Sequence, residues 1–211
     1  MSSFRRAIRN TFLFGMLKSV KDQYQLMKWK MAGKPVPPPY IVKRAILKEQ
    51  AAKYKMPVFF ETGTAAGDTT ATVKSLFKKI YSVEINPYYY EQAKKRFASD
   101  KNIELVNGDS GKVLASLLND KIKERTLFWL DGHYNSVLDP KGNELVCPIF
   151  GELESVFNHP VKNHIILIDD ARLFTGKNGY PTLDEVKTFT QNKRPDLDFY
   201  VDTDIIRIHQ K

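Results

Sequence analysis

From residue 58 onward the chain alternates between two hydrophobic patterns. Short apolar runs are separated by stretches in which apolar residues recur every three or four positions. Val58–Glu61, Ile80–Glu84, Asn102–Val106, Thr126–Leu130 and His164–Ile168 read as strands. Asp68–Lys78, Pro87–Ser99, Ser110–Leu118, Pro148–Phe157 and Thr182–Asn192 read as helices, Pro87 standing in a first turn where its missing N–H costs nothing. The tail LDFYVDTDIIRIHQK offers two short strands around Asp202-Thr203, a hairpin. Strands alternating with helices predict an α/β fold, Rossmann-like and doubly wound. It has a mostly parallel seven-stranded sheet, an antiparallel C-terminal edge strand and helices on both faces.

Upstream the period changes. Phe4, Ile8, Phe12, Met16, Val20 and Tyr24 recur every four positions, and Leu13 and Leu17 widen the stripe, so residues 4–30 are expected to be helical. Gly33-Lys34-Pro35-Val36-Pro37-Pro38-Pro39 breaks that helix, because consecutive prolines favour an extended chain. Helical spacing returns over Ile41–Lys55. Three parts are therefore expected: a basic helical arm over residues 1–34, a proline-rich linker over 35–40 and an α/β domain over 41–211.

Charge separates the arm from the rest. Residues 1–34 hold eight bases against Asp22 alone, whereas the other 177 residues hold 25 bases and 23 acids. The net charge of +9 thus belongs mainly to the arm and does not by itself imply a nucleic-acid-binding domain. A basic amphipathic helix of residues 1–30 fits the surface of an anionic membrane. The plainer expectation is that it docks on its own domain or on a second subunit of a homo-oligomer. The single cysteine, Cys147, excludes an internal disulfide and reads as a structural thiol. No apolar run is long enough to span a bilayer and no secretory signal is visible, so the expected location is cytoplasmic, with peripheral contact at the inner membrane surface.

Candidate chemistry gathers after the strands. Glu61-Thr62-Gly63-Thr64-Ala65-Ala66-Gly67-Asp68 places small residues where backbone must turn and approach a ligand, Gly63 and Gly67 above all. It lacks the GxGxxG spacing and the Gly-Lys-Ser/Thr end of phosphate loops, which points to a nucleoside without phosphates. Glu84 ends the second strand 17 residues after Gly67, where a carboxylate accepts from both ribose hydroxyls. Asp109, in Asn107-Gly108-Asp109-Ser110, either caps a helix or accepts from an adenine amino group.

In this order the motifs resemble those of class I S-adenosylmethionine-dependent methyltransferases, over roughly residues 41–209. ETGTAAGD is similar to their first motif, VEINP to their acidic second-strand end and NGDS to their third-strand loop. FWLDGHYNS and ILIDDARLF resemble the fourth- and fifth-strand ends of the metal-dependent small-molecule and sugar O-methyltransferase branch. The resemblance implies a cofactor site of Glu61, Gly63, Thr64, Gly67, Glu84, Ile85, Asp109, Ser110 and Asp131, with S-adenosylmethionine as cofactor. It also implies convergence of Asp131, Asp169 and Asp170. Three carboxylates in one cleft repel unless neutralised, and hard oxygen ligands suit Mg²⁺.

His133, two residues beyond Asp131, is the natural general base, and Tyr134 and Arg172 are candidate acceptor contacts. The plain alternative is that Asp131 and Asp169 merely terminate strands and His133 holds a loop. The polar loops Asn135–Glu144 and Thr175–Pro181 are placed to act as lids or as ordinary surface connections. His159, His164 and His209 receive no role. The expected activity is O-methylation of a small molecule, sugar or glycan. A nucleic-acid or protein methyltransferase and a non-catalytic binding protein are the alternatives. LDGHY stands where an Asn/Asp-Pro-Pro-Tyr/Phe tetrapeptide would mark base methylation, so nucleic acid is not an expected partner.

Overall fold

The computed structural model describes residues 12–132 and 147–211. The chain divides into two compact units within one helix, after Leu47. In the first unit, helix α1 (Phe12–Met31) is followed by residues without regular structure and by the start of α2 (Tyr40–Tyr54). Positions 4–11 of the expected first helix lie outside the described residues.

The second unit holds seven strands in one sheet: β1 (Val58–Thr62), β2 (Lys79–Glu84), β3 (Ile103–Asn107), β4 (Thr126–Leu130), β5 (Ile165–Ile168), β6 (Leu197–Asp202) and β7 (Ile205–Gln210). Their order across the sheet is β3-β2-β1-β4-β5-β7-β6, and β1 to β5 are parallel. Every residue of β1, β4 and β5 is buried, as the centre of a sheet covered on both faces requires. Phe60, in contact with Phe128 at 5.5 Å, belongs to a core shared with α5 (Ser110–Lys121), α6 (Ile149–Asn158) and α7 (Leu183–Lys193). Phe59 packs instead on Phe77 at 5.2 Å.

The C-terminal hairpin supplies the expected antiparallel edge. β7 pairs antiparallel with both β5 and β6, so β6 forms the edge. Burial decides this: Ile205, Ile206 and Ile208 of β7 are fully enclosed, whereas most of β6 is exposed. The more apolar strand of a hairpin takes the inner position because it has more to gain from cover.

Helix α3 (Asp68–Val73) stops short of the expected Lys78. The Asn102 side-chain amide donates to the carbonyls of Lys74 at 2.9 Å and Phe77 at 3.3 Å. The carbonyl of the C-cap residue Lys74 and that of Phe77 in the turn beyond it are thus served by one side chain. Helix α4 (Pro87–Arg96) is capped by Asn86, whose side chain accepts from Tyr88 N. At the opposite end of the sheet from the acids, His164 Nδ1 accepts from Thr126 N, and His159 bridges His164 to Leu118 O. Burial lowers His164 to about 4, which suits a neutral structural ring. Cys147 is buried and its thiol is pushed up to about 12, which makes it inert.

The strand order reverses between β1 and β4, and in open α/β sheets ligands bind outside the carboxyl ends at that point. Pairing continues beyond the strand ends. Gly63 N donates to Val83 O, Asp131 N to Thr62 O and Asp169 N to Leu130 O. These bonds hold four strand-end segments in register along one edge.

Asn102→Ala removes both carbonyl partners at the end of α3. It is expected to cost about 1–2 kcal/mol, read as a lower urea midpoint with an unchanged slope.

Candidate functional site at the carboxyl edge of the sheet

Consecutive residues of a strand face opposite sides, so Glu61 and Thr62 enter different environments. Glu61 is enclosed and accepts from Thr70 Oγ1 at 2.5 Å and Ser82 Oγ at 2.6 Å, with Thr64 Oγ1 a further 2.6 Å from Ser82 Oγ. Burial pushes its carboxyl up to about 7, the hydroxyls of Ser82 and Thr70 pull it down, and the charge of Glu84 pushes it up again. Gly63 follows at φ +82, and a Cβ there would collide with the Asp131 carbonyl oxygen. Gly67 stands at φ +74, where a Cβ would lie 2.6 Å from the Phe97 ring. Both positions demand glycine for conformation and space alike.

Glu84 ties two turns together. One carboxylate oxygen accepts from Ala65 N at 2.6 Å and the other from Asn86 N at 2.8 Å. Each oxygen keeps a second lone pair that can serve a ligand hydroxyl. Ile85 is exposed on the same turn. Asp109 caps α5 by accepting from Gly111 N at 3.0 Å, and Lys112 approaches its other oxygen at 3.1 Å. Ser110 beside it is buried.

Asp131, Asp169 and Asp170 do converge: one oxygen of each lies within 4.8 Å of the others. Asp169 is buried and accepts from Asp170 N at 2.8 Å. Asp170 sits in left-handed backbone at φ +56 and opens the short 3₁₀ turn Ala171–Leu173. Arg172 Nη1 donates to Asp170 at 2.8 Å and also to Asp204. Asp204, from the β6–β7 turn, is buried and also accepts from Arg172 N at 2.9 Å. Arg172 is therefore drawn onto protein carboxylates. Three carboxylates this close form an oxygen donor set of the kind that suits a divalent cation.

Several members of this edge were not anticipated. Helices α5 and α6 cross closely: a Cβ on Gly151 would lie 3.3 Å from Gly111 O. That crossing brings Glu152 of α6 beneath the end of β4. A Cβ on Gly132 would lie 3.1 Å from Glu152 Oε1, Ser110 Oγ and Thr62 Oγ1 alike. Glu152 and Thr62 are buried, and neither Glu152 Oε1 nor Thr62 Oγ1 has a hydrogen-bond partner among the described residues. Burial pushes Glu152 up to about 7. The available signal was an acid on the apolar stripe of PIFGELESVF, between Ile149, Leu153 and Val156.

Tyr180, in the Thr175–Pro181 loop, is the other addition. Its ring meets Phe174 edge-on at 5.6 Å. Burial, then Cys147, Asp170 and Asp131, raise its hydroxyl above the ordinary value. His133 and Tyr134, and the whole Asn135–Glu144 loop, lie outside the described residues.

Neither a protein-family model nor a curated protein sequence matches this chain. Solved structures do. An SAH-bound methyltransferase from Podospora anserina, PaMTH1, is similar at 16% identity and a TM-score of 0.58, over 90% of this chain and 86% of that one. The O-methyltransferase TomG of Streptomyces achromogenes, involved in tomaymycin synthesis and in complex with SAM, is 15% identical with a TM-score of 0.58, over 90% and 88%. An O-methyltransferase from Bacillus cereus in complex with SAH is 14% identical with a TM-score of 0.59, over 90% of each chain. At these identities the likeness is one of fold: the Rossmann-like α/β architecture that these methyltransferases share.

The two buried carboxyls make stability depend on pH. A carboxyl raised from 4.5 to about 7 binds its proton more tightly in the folded chain. Its stabilisation is full below about pH 4.5 and is lost as pH rises through about 7. Glu61→Gln and Glu152→Gln are each expected to shrink the fall in Tm between about pH 5 and pH 8. An unaltered slope in both variants would contradict the burial argument.

Proposed function

We propose that this chain is an S-adenosylmethionine-dependent O-methyltransferase, with a hydroxyl of a small molecule, sugar or glycan as acceptor and Mg²⁺ as a second requirement. One observation carries the proposal. The Asp131, Asp169 and Asp170 oxygens gather within 4.8 Å of one another, on the sheet edge that also carries the Gly63 turn and Glu84.

In this proposal Glu61 and Thr64 brace the turn, and Gly63 and Gly67 let it close against the Asp131 carbonyl and the Phe97 ring beside the cofactor. Glu84 offers its spare lone pairs to the ribose hydroxyls. Ile85, Asp109 and Ser110 border the base, and Asp131 contributes to cofactor and cation sites together. Asp169 and Asp170 complete the cation's ligand set. When bound, the cofactor supplies an electrophilic methyl group and the cation lowers the acceptor hydroxyl's pKa. The protein's own work is alignment: attacking oxygen, methyl carbon and sulfur must lie in line. His133 removes the hydroxyl proton, and Tyr134 and Arg172 border the acceptor, Arg172 being held in place by Asp204.

Calorimetry separates this from a non-catalytic binding protein. S-adenosylhomocysteine is expected to bind, and Glu84→Ala to weaken it about tenfold or more, since two stitched turns and a ribose contact go together. No binding by the unaltered chain would overturn the cofactor assignment. Mg²⁺ is expected to bind the unaltered chain and not the Asp169→Asn variant. Equal Mg²⁺ binding by both would remove Asp169 from the cation site.

A further inference from the structure

Helix α1 is built with its apolar side outward. Val20, Tyr24, Met27 and Met31 are 68%, 60%, 54% and 81% exposed. At about 100° per residue these four fall within an arc of about 60° and form one stripe along the helix. In the sequence, Leu13 and Leu17 extend the same spacing towards the amino terminus.

The opposite side of α1 is held by its own unit. Asp22 pairs with Arg44 at 2.6 Å, and Trp29 Nε1 donates to Pro35 O at 2.7 Å. Gly33, at φ +79, ends the helix by donating to Lys30 O, and Lys34 N turns back to Trp29 O. The acid and the indole are thus used for attachment inside the unit, and the apolar residues are left over. A helix that folded only for its own domain would present the reverse face, because covering apolar surface is the larger gain.

Charge identifies what covers the stripe. Lys21 and Lys28 border it on one side and Lys30 on the other, about 70–90° from its centre. Lysines in such flanking positions lay their methylenes along apolar surface and keep the ammonium at headgroup level. Residues 1–34 carry eight bases and a single acid, and that acid is neutralised by Arg44. No helix among the described residues is long and apolar enough to cross a membrane, so insertion across a bilayer does not explain the stripe.

We propose that α1 is an interfacial helix that lies in the surface of an anionic bilayer. Val20, Tyr24, Met27 and Met31 enter the boundary between headgroups and acyl chains, and Lys21, Lys28 and Lys30 meet lipid phosphates. The proposal does not depend on the methyl-transfer assignment. Apolar burial and charge attraction act together here, so both lipid charge and ionic strength govern the affinity.

Vesicle flotation with the full chain tests it. Vesicles of phosphatidylcholine with phosphatidylglycerol are expected to carry the protein, and pure phosphatidylcholine to carry about tenfold less or lower, with further loss at high salt. Two triple variants separate the contributions: Val20→Ser with Tyr24→Ser and Met27→Ser, and Lys21→Gln with Lys28→Gln and Lys30→Gln. Each is expected to lower vesicle binding at least about tenfold while Tm stays unchanged, because the altered side chains lie at the surface. Binding to anionic vesicles that both variants retain would overturn the proposal. So would absence of vesicle binding together with a dimer, seen by light scattering, that the serine variant abolishes. That result would assign the stripe to a second copy of the chain.

Discussion

The carboxyl edge of the sheet is governed by repulsion between acids. The parallel ladder delivers Glu61, Glu84, Asp131, Asp169 and Asp170 to neighbouring strand ends, and like charges so close are tolerated only when each is paired, hydrogen-bonded or protonated. Each acid is handled differently. Glu61 is buried among hydroxyls and holds its proton to about pH 7. Glu84 receives two backbone amides, and Asp169 receives the amide of Asp170. Asp170 shares Arg172 with Asp204. The tight turn at Gly63 and the left-handed backbone at Asp170 both serve this arrangement, because they aim amides at carboxylates.

That arrangement also separates two kinds of site acid. Glu61 and Glu152 are inside, close to neutral, and act on the shape of the loops above them. Asp131 and Asp170 are half-buried, and their charges act on the Tyr180 hydroxyl. A buried neutral acid is a hydrogen-bonding strut, whereas a partly hydrated carboxylate is a ligand for hard cations. Burial therefore sorts residues of the same chemical type into support and chemistry.

Much of this edge was legible before any coordinates. The alternation of strand and helix patterns located all seven strands, and the resemblance of LDGHY and IDDAR to known strand-end motifs implied the convergence of Asp131, Asp169 and Asp170. Asp109 was open between cap and ligand, and the cap is present. Thr62, Glu152, Tyr180 and Asp204 went unread for one reason. Each comes to the site through a packing event between segments far apart in the chain: the α5–α6 crossing at Gly111 and Gly151, the loop before α7, and the β6–β7 turn. The inward place of β7 had a local signal, three isoleucines in IIRIHQK. It needed a comparison of the two hairpin strands to be used.

The features readable along the chain are periodic and local. Element types, the glycines of the turn after β1, the acids at the strand ends and the amphipathic pattern of the arm all follow from spacing that neighbours along the chain share. Only the tertiary structure decided which way faces turn. It set Glu61 against Thr70 and Ser82, turned Arg172 onto Asp170 and Asp204, and left Val20, Tyr24, Met27 and Met31 of α1 in solvent. The physical reason is that periodicity specifies a stripe but not its partner. The partner is selected by the competition among all faces for cover, and that competition is resolved only in three dimensions.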